Sequence, residues 1–221
     1  MTQIKVCGIV KAEQALPILQ SGVDRLGLVF FPESPRHISL EQAKDVAAVI
    51  PSGRPLVMVT VDCPLSTLID IYTAISVRTG RIQLHGNETI DYIRQLRRLI
   101  EDKELPTPEI VRRISSAEER ELFLPHSDKL LWESLGAMPG GNGLFHDWPA
   151  RDLLSPRERF IIAGGLSPEN VFDSLSTTKV SEVDVSGGVE QTPGNKSLLK
   201  IRAFVDAVRQ YDQTQALTPN L

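Results

Sequence analysis

Short apolar runs rich in Val, Ile and Leu alternate along this chain with stretches in which apolar residues recur every three or four positions. The first pattern suits a strand covered on both faces and the second a helix with one buried stripe. Their regular alternation predicts repeated βα units and a parallel sheet. Strands are expected at 4–9, 25–31, 55–62, 81–85, 109–114, 129–133, 160–163 and 182–185, and helices at 12–19, 40–50, 65–75, 89–100, 117–124, 149–154, 168–175 and 198–211. Two helix starts have evident chemistry. Ser39 with Gln42 three residues on has the form of a capping box, and Ser167-Pro168 ahead of Glu169 combines a hydroxyl that accepts an orphan N–H with a ring that the first turn tolerates.

Eight such units fit either a closed barrel or an open doubly wound sheet, and the glycines help to choose. No strand runs into G-x-G-x-x-G or a P-loop, which removes support for nucleotide binding of those types. Instead Gly164-Gly165 ends the seventh strand and Gly187-Gly188 the eighth. Residues without Cβ let backbone N–H groups approach an anion, and the loops after strands seven and eight are where barrels often hold phosphate. The plainer reading of these glycines is two tight strand-to-helix turns. The expected fold is therefore α/β, a single-domain (β/α)8 or TIM barrel over 1–211, with 212–221 polar, unpatterned and fraying.

A chain of 221 residues can bury one sizeable core, and a net charge of -4 gives no global attraction to nucleic acid or anionic membrane. The N-terminal residues lack the pattern of a signal peptide and no apolar run has the length of a membrane span, so a cytoplasmic protein is expected. The two cysteines, Cys7 and Cys63, have neither metal-site spacing nor the density of a disulfide scaffold; reduced thiols and no metal are expected.

Polar and reactive groups recur at the ends of the predicted strands. Cys7 ends the first; a lone buried cysteine is most often a small hydrophobe, whereas a thiolate there could act as base or nucleophile. Arg36 follows Pro35 in a stiffened loop, where its planar fork could clamp a carboxylate or phosphate, although a surface arginine is the simpler reading. Gln83 and His85 end the fourth strand, Glu133 the sixth, and Asp184 and Ser186 the eighth. Each alone could be a satisfied strand-end polar group, but convergence on one face is how sites in this fold are built. Cys63, beside Pro64 with no acid–base companion, is read as structural.

Taken together, these residues resemble the phosphoribosylanthranilate isomerase family over nearly the whole chain. Lys5-Val6-Cys7-Gly8-Ile9, Gly27-Leu28-Val29-Phe30 with Ser34-Pro35-Arg36, Gln83-Leu84-His85-Gly86, Ala163-Gly164-Gly165-Leu166 with Pro168-Glu169-Asn170-Val171, and Asp184-Val185-Ser186 with Gly188-Val189-Glu190 and Pro193-Gly194 ahead of Lys196 are all similar to its motifs. The resemblance implies cofactor-free Amadori chemistry on a small sugar phosphate. An acid protonates the ribose ring oxygen, the ring opens to a Schiff base, and a base removes the C2′ proton. It implies Cys7 as base, Arg36 on the anthranilate carboxylate and the glycine pairs on phosphate. The family's strand-six acid is aspartate, and Glu133 stands in its place, implying a substitute acid that must stay protonated. Leu144, Phe145, His146 and Val10 also depart from the family pattern. A divergent isomerase of a related aminosugar phosphate and a noncatalytic phosphate-ligand barrel remain as other readings of the sequence.

Overall fold

The computed structural model describes residues 1–53, 56–133, 148–149 and 151–217. Strands β1 (Gln3–Cys7), β2 (Arg25–Phe30), β3 (Leu56–Thr60), β4 (Thr79–Leu84), β5 (Glu109–Ile114), β6 (Lys129–Glu133), β7 (Phe160–Ala163) and β8 (Glu182–Val185) pair in chain order, all parallel. β8 pairs in turn with β1, so the sheet closes into the expected eight-stranded barrel. Around it lie α1 (Ala12–Gln20), α2 (Leu40–Val49), α3 (Leu65–Ile75), α4 (Ile90–Asp102), α5 (Ala117–Phe123), α6 (Val171–Thr178) and α7 (Leu198–Leu217). Beyond β8 the chain makes a 3-10 turn, Gly187–Val189, and a small hairpin of β9 (Glu190–Thr192) and β10 (Asn195–Lys196).

Side chains alternate between two environments. Ile4, Val6, Leu26, Leu28, Leu56, Met58, Ile82, Leu84, Ile110, Leu130, Phe160, Ile162, Val183 and Val185 belong to one large apolar cluster with the helix residues, including Ile18, Val46, Leu68, Ile93, Val171 and Phe204. The intervening positions face the barrel interior, where charge is concentrated. Glu182 is fully buried; it pairs with Arg81, lies 3.0 Å from Lys129 Nζ and 3.6 Å from Arg25 Nε, and Arg81 also pairs with Glu109. Above this plug, toward the C-terminal ends, Cys7, Val29, Val57 and Val59 pack together on one side and Val111, Leu131, Ile161 and Ala163 on the other. The strands read as unbroken apolar runs only where the outward face dominates the local sequence.

Four expected elements come out differently. β4 begins at Thr79 rather than 81, because Leu56 pairs with Thr79. The expected 149–154 helix is a 3-10 turn at Arg151–Leu154. The helix expected from 168 begins at Val171, since Asn170 ties the preceding turn by accepting from Ser167 N at 2.8 Å and donating to the Gly165 carbonyl at 2.9 Å. The capping box at Ser39 and Gln42 forms as expected. The polar stretch expected to fray from 212 continues α7 to Leu217. Asp212 accepts from Thr2 N at 2.9 Å and Thr2 Oγ1 at 2.7 Å, and Arg209 donates to the Thr2 carbonyl, so the polarity of this turn anchors it to the start of β1.

Candidate active site

A cavity of about 520 Å³ opens at the C-terminal end of the barrel. Every site residue expected from the sequence lines it: Cys7, Arg36, Gln83, His85, Glu133, Asp184, Ser186 and the glycines 164, 165, 187 and 188. The strand ends bring them there because interior positions two residues apart on a strand point the same way.

The glycine loops are built for close approach of backbone. Gly164 and Gly165 have φ of +84° and +64°, which L side chains rarely adopt. Gly188 has no room for a Cβ, which would lie 2.0 Å from the Leu166 carbonyl oxygen. The loops after β7 and β8 thus lean on each other and present a shared glycine-lined edge to the cavity.

Cys7 belongs to a buried group of charges. Lys5, two residues earlier on the same face, is 1% exposed and its Nζ lies 2.5 Å from Asp184 Oδ2. Burial pushes the Cys7 thiol up, with Lys5 pulling it down. Burial likewise pushes the Asp184 carboxyl up against the pull of Lys5, while Lys5, despite burial, is held above its ordinary value by Asp184 and Cys7. Asp184 Oδ1 is buried without a hydrogen-bond partner among the described residues, and it belongs to the cavity wall. Gly27 makes this crowding possible: a Cβ there would sit 2.7 Å from Cys7 Sγ and 3.0 Å from Lys5 Cε. Ser186 Oγ donates to the Cys7 carbonyl at 3.0 Å and ties the top of β8 to β1.

Arg36 reaches the cavity lying across Gly8, whose φ is +83° and whose missing side chain makes room for the arginine stem. Its Nε and Nη2 donate to the two oxygens of Glu190 at 2.8 and 2.7 Å, and Glu190 also accepts from Lys196 Nζ at 2.6 Å. The fork expected to clamp a ligand carboxylate is therefore already held on one edge by the protein, leaving Nη1 without a partner among the described residues. Burial raises Glu190, but Arg36 and Lys196 outweigh it and keep the carboxyl below its ordinary value.

Glu133 stands where expected and in a different state. Its Oε2 lies 3.1 Å from Arg113 Nε and 3.3 Å from His85 Nε2. Burial pushes the carboxyl up, yet hydrogen bonds and charge from His85 and Arg113 hold it down at about 2. In this arrangement the two neighbours favour the carboxylate form of Glu133 over the carboxylic acid. On its other side, His85 Nδ1 lies 3.1 Å from Gln83 Nε2.

Sequence reasoning missed Lys5, Arg113, Glu190, Lys196 and Gly27. Lys5 was legible in principle, being two residues from Cys7 and so on the same strand face, as Arg113 is two from the interior Val111. Nothing in the order of residues links Glu190 to Arg36, which are 154 positions apart. Residues 144–146, where the sequence departs from the family pattern, lie outside the described residues; Val10 is near the Gly194 turn of the hairpin. Cys63, read as structural, is buried with its Sγ toward the Pro64 carbonyl.

Comparison with known proteins agrees with this geometry. A family model for N-(5'-phosphoribosyl)anthranilate isomerase matches residues 4–207. The N-(5'-phosphoribosyl)anthranilate isomerase of Parvibaculum lavamentivorans is 34% identical, covering 94% of this chain and 98% of its own, and that of Cereibacter sphaeroides is 36% identical with the same coverage. The crystal structure of phosphoribosyl anthranilate isomerase from Thermotoga maritima superposes with a TM-score of 0.79 at 31% identity, over 95% of this chain and 100% of that one. Another isomerase structure, in complex with reduced 1-(o-carboxyphenylamino)-1-deoxyribulose 5-phosphate, superposes with a TM-score of 0.75 at 27% identity, with the same coverage. With the barrel, the glycine edge and the cysteine at the end of β1 in place, this chain belongs to the N-(5'-phosphoribosyl)anthranilate isomerase family.

Proposed function

We propose that the cavity converts N-(5'-phosphoribosyl)anthranilate to 1-(o-carboxyphenylamino)-1-deoxyribulose 5-phosphate, with Cys7 taking the C2′ proton. The family supplies the reaction, an aldose–ketose isomerisation of tryptophan biosynthesis. The observation that carries the residue assignment is the placement of Cys7 Sγ beside Lys5 at the wall of the one cavity that also holds the glycine edge and Arg36.

The ligand has an anion at each end. The phosphate is assigned to the edge formed by Gly164, Gly165, Gly187 and Gly188, where backbone N–H groups can approach closely. The carboxylate is assigned to the Nη1 side of Arg36, whose other edge Glu190 keeps in place. Between them the ribose spans the mouth of the barrel, with Cys7 at β1 on one side and the polar ends of β4 and β6 on the other. The unpartnered Asp184 Oδ1 is placed to accept from a ribose hydroxyl. A general base must hold its proton only transiently, and the neighbouring Lys5 ammonium favours the thiolate that burial opposes. No helix among the described residues is long and apolar enough to cross a membrane; a cytoplasmic site of action is assigned with the biosynthetic reaction of the family.

The test is a steady-state assay of purified protein with enzymatically generated phosphoribosylanthranilate, following loss of substrate fluorescence, beside Cys7→Ala. Turnover lost by at least ~100-fold in the variant, with affinity for the reduced product analogue retained, is the expected result. Equal turnover in Cys7→Ala overturns the base assignment, and folded wild-type protein that binds the analogue without turnover overturns the catalytic reading.

A further inference from the structure

A base at Cys7 requires the thiolate, and the burial of this side chain at the cavity wall opposes it. The charge that answers this lies one step down the same strand face. Lys5 is two residues earlier on β1, so both side chains point into the barrel, and its register partner on the neighbouring β8 is Asp184. Gly27 stands opposite Cys7 on β2. A Cβ there would meet Cys7 Sγ at 2.7 Å and Lys5 Cε at 3.0 Å, so the sulfur and the end of the lysine stem border the same small gap.

We infer that Lys5 is a positioning residue for the base: its ammonium, anchored by Asp184, is the fixed counter-ion of the Cys7 thiolate, an inference that rests on the isomerase reading above. Lys5 is 1% exposed, and its Nζ donates to Asp184 Oδ2 at 2.5 Å. An ammonium has three N–H donors; Asp184 takes one, and the Cys7 sulfur lies within hydrogen-bonding reach of another. The carboxylate is needed because a fully buried ammonium without one would shed its proton, whereas beside Asp184 and Cys7 it is held above its ordinary value. A buried pair serving only to tie β1 to β8 would not need the sulfur beside it, since apolar side chains of similar volume hold strands at least as well.

Other charges reach the thiol from neighbouring elements. Asp184 of β8 pushes it up, Lys196 of β10 pulls it down, and Arg36 after β2 interacts favourably with its anion. His85 of β4 and Glu182 of β8 act on Asp184 in opposite senses. In the step itself Lys5 transfers nothing: the Cys7 thiolate takes the C2′ proton and becomes a thiol, while the ammonium keeps its proton throughout.

The experiment titrates Cys7 in substrate-free protein, from the pH dependence of its alkylation by iodoacetamide read by peptide mass, beside the pH profile of kcat with phosphoribosylanthranilate. In Lys5→Met the alkylation midpoint moves up by ~1 pH unit or more. The same variant lowers kcat ~10-fold or more at neutral pH with KM little changed, and the deficit shrinks as pH rises through the new midpoint, because alkali then supplies the thiolate that the ammonium had favoured. A lysine with only a structural part would give an unmoved midpoint and a deficit equal at every pH, and either result overturns the inference. Should Lys5→Met fail to fold, Lys5→Met/Asp184→Asn removes both buried charges together, keeps stability near that of wild type and places the midpoint above the wild-type one. Because alkylation needs no substrate, an unmoved midpoint overturns this inference alone, whereas folded wild type that never turns over phosphoribosylanthranilate overturns the isomerase reading beneath it.

Discussion

Replacing Glu182 by Gln isolates the charge plug at the floor of the barrel. The carboxylate is fully buried and serves three cations: Arg81, Lys129 at 3.0 Å and Arg25 at 3.6 Å. Glutamine keeps the volume and an acceptor oxygen but removes the buried anion, leaving Arg81 with Glu109 alone and Lys129 and Arg25 without their shared carboxylate, a change that costs ~3–5 kcal/mol when one partner of a buried pair is removed. With a urea m-value of ~3 kcal/mol/M for a chain of this size, the unfolding midpoint should fall by ~1–1.7 M. Glu41→Gln, which removes the exposed Glu41–Lys44 pair of α2, is the control and should cost at most ~0.5 kcal/mol. The pH dependence has a definite sign. Burial raises the Glu182 carboxyl, but Arg81 and Lys129 together hold it below its ordinary value. Its contribution is therefore complete above the unfolded carboxylate value of ~4.3 and disappears as pH falls through the folded one, so wild type and variant should converge in acid. A loss at neutral pH no larger than the control's would refute the argument, since it would mean that the cations around Glu182 need no fully buried anion.

Two further substitutions probe the site. Gly188→Ala forces a methyl group to 2.0 Å from the Leu166 carbonyl oxygen, so the two glycine loops must separate; KM should rise ~10-fold or more while Gly53→Ala, which strains a turn at φ +81° that does not line the cavity, leaves KM unchanged, and inorganic phosphate inhibition reads the same site directly. Glu190→Gln frees one edge of Arg36, and the long side chain should lose its fixed direction; KM should rise by several-fold at nearly constant kcat, whereas a fall in KM would show that Glu190 competes with the ligand carboxylate for the guanidinium.

Much of the fold was legible because the outward strand faces and the helix stripes are both apolar and both periodic. The barrel closure followed from glycines at the ends of β7 and β8. What escaped was interior: Arg81, Glu182 and Lys5 look like breaks in apolar runs, and only closure brings Arg81 across to Glu182, 101 positions later. The end of α7 escaped because polarity signals fraying unless a partner waits, and Asp212 finds Thr2 some 210 positions away. At the site, position was readable and protonation was not. Each strand-end residue was named from local sequence, but the state of Glu133 depends on Arg113 and His85, which lie on other strands.

The hairpin after β8 has a geometric consequence for which ligands fit. Gly187 and Gly188 line the cavity, and Glu190, two residues further on, fixes Arg36, whose Nη2 would lie 3.5 Å from a Cβ at Gly187. Lys196 closes the same short segment on itself by donating to Glu190, and Gly194 N donates there too at 3.1 Å. The placement of the guanidinium against the glycine edge is therefore set by one compact piece of backbone. A ligand that meets both Arg36 and the glycine edge must therefore hold its polar groups in one fixed relative placement, so selection by shape is built into the same residues that supply the charge.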